Sequence, residues 1–158
     1  MKRAIFPGTF DPFTIGHYSI VMRGLGIFDE IIVAVGVNQL KKTLFDIEKR
    51  LEIIDQSFKN EPRVKAMSYD SLTVDFAKSV DADYILRGIR SVSDFEYEHT
   101  IANTNRTLTG VETVILFTES EYSFISSTII RDLISYGKDV SAFLPPNVNL
   151  PPNPLRGE

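Results

Sequence analysis

Apolar and polar positions along the chain switch between two periods. The run "RAIF" (residues 3–6) is short and apolar. "EIIVAVGV" (30–37) is a continuous β-branched stretch, the pattern of a strand buried on both faces. "RVKAMSY", "DYILRG" and "ETVILFT" predict three more strands, the last again of the buried type. Between them the period lengthens. In "HYSIVMRGLGIF", Ile20, Val21 and Leu25 fall at helical spacing. In "DIEKRLEIIDQSF", Ile47, Leu51, Ile54 and Phe58 form one stripe behind Asp46, a residue suited to the N-cap. "LTVDFAKSV" predicts a short helix with Val74, Ala77 and Lys78 on successive turns. "SDFEYEHTIANTNRTL" predicts a helix capped by Ser93, with Glu96 three residues on as in a capping box. "SSTIIRDLISYG" predicts a last helix with Ile129, Ile130, Leu133 and Ile134 inward and Gly137 placed to end it.

Strand then helix, repeated about five times, predicts an α/β fold: Rossmann-like and doubly wound, with a five-stranded parallel sheet covered on both faces. Ligands of such sheets sit at the carboxyl ends of the strands. Residues 1–158 are expected to form a single domain. The segment "LPPNVNLPPNPLRGE" carries five prolines in fifteen residues. Proline has no N–H to donate and a fixed φ, so an extended or disordered tail is expected from about residue 145.

Composition narrows the function. With no cysteine there is neither a disulfide framework nor a thiolate metal site, and two histidines far apart disfavour zinc. No apolar run approaches the ~20 residues of a membrane span, and the N-terminus lacks the apolar core of a signal peptide. A cytoplasmic setting fits. The net charge of −4 argues against general nucleic-acid binding. A small polyanionic substrate then needs Lys and Arg gathered locally against the overall sign.

Three polar clusters fall where strands end. The first is "PGTFDPFTIGH" (7–17), a glycine- and proline-punctuated loop between the first strand and the first helix. Gly8 and Gly16 permit close backbone approach, and N–H groups at a helix start make a natural phosphate cradle. Thr9 adds a hydroxyl, and His17 falls in the first helical turn, facing the same anion. A plain glycine turn ending in a capping histidine explains this loop equally well. The pattern is neither G-x-G-x-x-G nor a Walker loop. The second cluster, "YILRGIRSVSDFEYE", sets Arg87 and Arg90 around Gly88 just after a strand, and guanidinium suits phosphate through planar paired donors. Two solvated arginines paired with Asp94, Glu96 or Glu98 are the plainer alternative. Lys41 and Lys42 add charge on the same edge. The third, "YSFISSTIIRDL", puts Ser126, Ser127 and Thr128 before a helical stripe; one suffices as a cap, and Arg131 lies a turn further on. Glu98 and Asp94 suit a ribose hydroxyl or simply the start of their helix. Asp11 suits a turn or the orienting of a hydroxyl, and His99 reads as a helix-surface residue. Together the clusters describe a binder of a phosphate-rich nucleotide and a second anion, and suggest phosphoryl or nucleotidyl transfer.

"PGTFDPFTIGH" with "SFISSTIIR" resembles the HxGH-type nucleotidyltransferases, with Thr14 where that signature has its first histidine. Adding "KKTLF" and "LRGIRSVSDFEYEHTIANTNR", the chain is similar over roughly residues 2 to 146 to the bacterial phosphopantetheine adenylyltransferases. The resemblance implies transfer of AMP from ATP to 4′-phosphopantetheine, with dephospho-coenzyme A and pyrophosphate as products. It implies Mg²⁺ carried mainly by the ATP phosphates, no protein metal site, a homohexamer, and coenzyme A as an inhibitor. It implies no nucleic-acid or membrane partner. Carried over by position, His17 would stabilise the transition state at the α-phosphate. Thr9 would meet the phosphates of both substrates, and the Phe10 backbone would hold the nucleotide. Lys41 and Arg87 would grip the phosphopantetheine and Thr73 would line its arm. Gly88, Ile89, Arg90 and Glu98 would bind the adenosine side. Tyr122, Ser123, Phe124, Ile125, Ser126, Ser127 and Thr128 would wrap the triphosphate. Tyr122 stands where many relatives carry tryptophan, and Thr73 where a larger apolar side chain is common. A cytidylyltransferase, a nicotinamide-nucleotide adenylyltransferase and a non-catalytic nucleotide-binding module stand as alternatives.

Overall fold

The computed structural model describes residues 1–150. Five strands, β1 (Arg3–Gly8), β2 (Glu30–Gly36), β3 (Val64–Tyr69), β4 (Tyr84–Ile89) and β5 (Glu112–Phe117), form one parallel sheet in the order β3-β2-β1-β4-β5. Helices α1 (Ile15–Gly24), α2 (Ile47–Ser57), α3 (Thr73–Ser79), α4 (Val92–Thr109) and α5 (Ser127–Ser135) supply the connections and flank the sheet. This is the doubly wound Rossmann-like architecture expected. The winding reverses between β1 and β4, so the crevice at their carboxyl ends lies between the first loop and the arginine cluster.

The period-two alternation of the central strands sorts the core into two layers. Ala4, Phe6, Ile31, Val33, Val35 and Leu86 face Ile20, Val21, Ile53, Ile54, Ile130 and Ile134 of α1, α2 and α5. Ile5, Ile32, Ala34 and Ile85 point the other way, onto Val74, Phe76 and Ala77 of α3. β2 is buried on both faces as its continuous apolar run predicts. β5 differs from its expected buried type: it is one of the sheet's two outer strands, half-buried at its centre and exposed at both ends.

The helices start and face slightly differently from their sequence pattern. Asp46 caps α2, its Oδ1 accepting from the Lys49 N–H at 2.8 Å. In α3, Phe76 rather than Lys78 joins Val74 and Ala77 inside, since only the phenyl ring gains by leaving water. α4 begins before the expected Ser93: Ser91 is its cap, its Oγ accepting from the Asp94 N–H at 3.1 Å. Asp94 Oδ2 in turn accepts from the Arg90 N–H at 3.2 Å, one residue before the cap, and the capping box expected with Glu96 does not form. In α5, Ile130 and Ile134 are buried, but Ile129 is half exposed and Leu133 only half buried, a narrower stripe than predicted. The proline-rich segment, expected to be extended or disordered, is described only as far as residue 150. Leu144 and Val148 are buried in the main core and Leu150 packs against it, so residues 144–150 are docked. The last eight residues, 151–158, lie outside the described part.

Candidate active site

The end of β1 and the loop after it are held by their carbonyl oxygens. Arg87 Nη1 donates to Pro7 O at 2.7 Å, and Arg50 Nη1 to Thr9 O at 2.9 Å. Arg131 Nη1 donates to Asp11 O at 2.8 Å, and Ser127 Oγ to Pro12 O at 2.8 Å. Charged donors make the stronger of these bonds. The Asp11 carboxylate, itself buried, accepts from the Leu44 and Phe45 N–H groups at 2.8 and 2.9 Å. It therefore ties this loop to the segment before α2 and does not orient a hydroxyl. Phe10 adopts φ 50°, in the left-handed region, and its ring closes over Gly8, where a Cβ would meet ring carbons at 2.7 and 2.8 Å. Gly8 is thus required by packing against its own loop.

Thr14 and His17 cap α1 reciprocally. Thr14 Oγ1 accepts from the His17 N–H at 3.2 Å, and His17 Nδ1 accepts from the Thr14 N–H at 3.0 Å. This is a capping box with imidazole in the role usually taken by Glu or Gln. It has a chemical consequence. Because Nδ1 is an acceptor, the neutral ring carries its proton on Nε2. The half-buried ring is surrounded by Phe6, Phe10 and Phe13, with centroids 6.2, 5.0 and 5.3 Å away. Burial first, then the nearby Arg87 and Arg90 charges, hold its pKa down at about 3. His17 is therefore a neutral donor at every physiological pH.

A cleft of about 370 Å³ opens at this point. Thr9, Phe10, His17 and Lys41 line it with Arg87, Gly88, Arg90 and Glu98 of the β4 side, and with Tyr122, Ile125, Ser126, Ser127 and Thr128 at the start of α5. The three polar clusters of the sequence thus converge on one crevice. Arg87 lies within β4, not after it, and is gripped by Glu98, whose Oε1 accepts from Nε at 2.9 Å and Nη2 at 2.6 Å. That buried carboxylate is engaged by arginine. Arg90 donates to Ile125 O at 3.0 Å and bridges the β4 and α5 walls. Ser126 is the cap of α5, leaving Ser127 and Thr128 beyond what capping needs. Lys41 Nζ donates to Thr9 Oγ1 at 3.2 Å.

Four of the expected site residues lie elsewhere. Thr73 lines a second cavity of about 620 Å³ at the ends of β2 and β3, where its Oγ1 lies 2.9 Å from the Tyr69 hydroxyl. Gly8, Thr9 and Lys41 border both cavities and join them. Ile89 is buried and faces away from the cleft, because Gly88 and Ile89 alternate across the strand. Ser123 is used locally, donating to Ser120 O at 2.9 Å, and Phe124 stands edge-on to Phe143 at 6.1 Å. His99 is a surface residue of α4, its ring stacked on Phe95. Arg50 was not legible as a site residue, although its place between Ile47 and Ile54 put a cation on an inward helix face. Arg131 was legible as charge and serves mainly as an anchor of the loop.

Among the described residues, no three His, Cys, Asp or Glu side chains cluster to hold a metal. No helix there is long and apolar enough to cross a membrane.

Known proteins resemble this chain in fold and in sequence. A bifunctional NMN adenylyltransferase/ADP ribose pyrophosphatase from Francisella tularensis shares the fold over part of its length. It superposes with a TM-score of 0.68 at 13% identity over 93% of this chain and 46% of that one. A lipopolysaccharide core biosynthesis protein from Thermoplasma volcanium gives a TM-score of 0.56 over 75% of this chain and 97% of that one. The family model described as cytidylyltransferase-like matches residues 5–133. At the level of sequence the likeness is far tighter. The phosphopantetheine adenylyltransferase of Bacteroides fragilis is 58% identical over 95% of this chain and 100% of its own length. That of Flavobacterium psychrophilum is 50% identical over 95% and 99%. A likeness of that depth, end to end, shows that this chain belongs to the phosphopantetheine adenylyltransferase family.

Proposed function

We propose that the protein transfers AMP from ATP to 4′-phosphopantetheine, forming dephospho-coenzyme A and releasing pyrophosphate. The observation that carries this is the pair of joined cavities. A nucleotide-sized cleft with a neutral imidazole N–H and three guanidinium groups meets a second cavity at Thr9 and Lys41. The reacting phosphates of two substrates would meet at that junction. A phosphate oxygen of phosphopantetheine attacks the α-phosphorus of ATP in line; the new P–O bond forms as the Pα–O bond to pyrophosphate breaks, and no covalent enzyme intermediate is needed. The protein's task is then positioning and charge stabilisation.

His17 Nε2–H donates to the α-phosphate oxygen where negative charge builds. Lys41 and Arg87 hold the attacking phosphate. Arg90, which the resemblance puts on the adenosine side, reaches across to Ile125 before α5, so in this reading it joins the N–H groups of Ser127 and Thr128 in taking the β- and γ-phosphates at the positive end of α5. Thr73 lines the arm of the phosphopantetheine in the second cavity. Of the carboxylates that line the cleft, Glu98 is engaged by Arg87 and Asp11 by the Leu44 and Phe45 N–H groups. Mg²⁺ would accompany the ATP phosphates, where it would neutralise triphosphate charge.

The reading extends to assembly and control. Val92, Phe95 and Tyr97 of α4 and Phe117 of β5 are apolar and exposed, which supports burial between copies in a homohexamer. Coenzyme A has an adenosine end and a pantetheine end, so it would occupy both cavities and compete with both substrates. The reaction belongs to a cytoplasmic biosynthetic enzyme. The test is pyrophosphate release from Mg-ATP and 4′-phosphopantetheine. Turnover with CTP or with nicotinamide mononucleotide instead would transfer the chain to another substrate class, and nucleotide binding without any turnover would make it a binding module.

A further inference from the structure

Arg50 is an expensive residue in an informative place. It lies in the first turn of α2 on the helix face that packs on the sheet, and it is only 4% exposed. Burying a guanidinium without a carboxylate partner is costly. Among the described residues, no Asp or Glu oxygen lies within the 4.0 Å ion-pair distance of Arg50. Its Nε is buried with no hydrogen-bond partner among those residues. An apolar side chain of similar length would fill this position with less desolvation.

What the guanidinium does make is specific. Nη1 donates to Thr9 O at 2.9 Å and to Gly36 O at 3.4 Å. Those two carbonyls end neighbouring strands: β1 and β2 pair in register as far as Gly8 and Val35, and the chain leaves the sheet just beyond. One buried cation therefore bolts two strand ends together at the point where the two cavities meet. Thr9 is held from below by Arg50 through its carbonyl and from above by Lys41 through its hydroxyl. An apolar replacement would leave both carbonyls without this donor and free the strand ends to part.

We propose that Arg50 is a positioning residue for the transfer step: it fixes Thr9, and through Thr9 the ammonium group of Lys41, at the junction of the two cavities. It touches no substrate. The proposal rests on the adenylyltransferase reading for its kinetic arm and stands apart from it in its structural arm.

The test compares Arg50→Met and Arg50→Lys with the parent protein. Arg50→Met lowers kcat at least tenfold while the Kd for Mg-ATP stays within threefold. Arg50→Lys, which can reach one carbonyl, recovers part of the loss. A general loss of packing would instead lower ATP binding and kcat together, with no recovery by lysine. If Arg50→Met does not fold, Arg50→Lys decides: kcat reduced threefold or more supports the role, and a parental value overturns it. The structural arm uses backbone amide shifts in ¹⁵N-labelled protein. In the variants Thr9, Phe10 and Gly36 shift or broaden while the residues of α5 hold. Unchanged shifts at those three positions overturn the clamp, whether or not the parent turns over. A parent with the clamp intact but no pyrophosphate release would count against the adenylyltransferase reading alone.

Discussion

His17 shows how much a single hydrogen bond can decide. Its Nδ1 is committed to the Thr14 N–H, so only Nε2–H is left to face the cleft. A donor whose bond strengthens as charge develops acts on kcat more than on binding. His17→Ala is expected to lower kcat by about 10²–10³, equivalent to roughly 2.7–4 kcal/mol, with a smaller change in ATP affinity. Steady-state kinetics and ATP titration check this, and an unchanged kcat removes the residue from the mechanism. The depressed pKa has its own signature. Between about pH 6.5 and 3 the unfolded chain binds the imidazole proton and the folded chain does not. Stability therefore falls on acidification across that window and levels off below it, on account of this group. His17→Gln should flatten that part of a urea-derived stability profile, and the parent's rate profile should show no imidazole ionisation near 6.5. The sequence puts His17 in the first turn of a helix after a strand, and the structure brings it to the wall of the cleft. The imidazole tautomer was not legible, because the acceptor role of Nδ1 depends on the geometry of the α1 cap.

At the scale of elements, caps and edges are where pattern and structure part. Both Ser91 and Ser93 precede an acidic residue by three positions, and periodicity alone does not choose between them. The structure chooses Ser91, because starting there lets Asp94 return a bond to the Arg90 N–H at the end of β4. Ser91→Ala should cost about 1 kcal/mol as a lost N-cap, whereas Ser93→Ala should stay within about 0.5 kcal/mol. Denaturant midpoints of the two variants compare them directly, and equal losses would restore Ser93 as the cap. β5 was legible as a strand but not as an outer one. Strand order depends on which neighbours pair, and the apolar run "ETVILFT" is equally suited to the centre. Arg50 was hidden for a related reason: on a helical stripe a lone cation reads as a surface residue until the carbonyls that receive it are seen.

For the molecule as a whole, alternating strands and helices were enough to place the site. They made the sheet parallel, and a parallel sheet gathers all loops that follow strands onto one edge. That is why three clusters far apart in sequence share one cleft. Long-range anchoring was less visible. The proline-rich segment read as a loose tail, yet residues 144–150 close over the core, with Val148 6% exposed. Proline content forbids helix but says nothing against docking in extended form. Val148→Ala removes two buried carbons and should cost about 1–2 kcal/mol. Urea unfolding would show the change, and a variant as stable as the parent would return this segment to the solvent.

The one-way sheet also gives the molecule a head and a foot. Every strand starts at the edge opposite the cleft, where Arg3 and Lys65 pair with Glu30 and Met1 is 80% exposed. β1 spans six residues, so the amino terminus stands roughly 20 Å from the first loop. A tag, dye or surface linkage at residue 1 therefore leaves the cleft pointing outward into solution, the orientation a biosensor or an immobilised reactor needs.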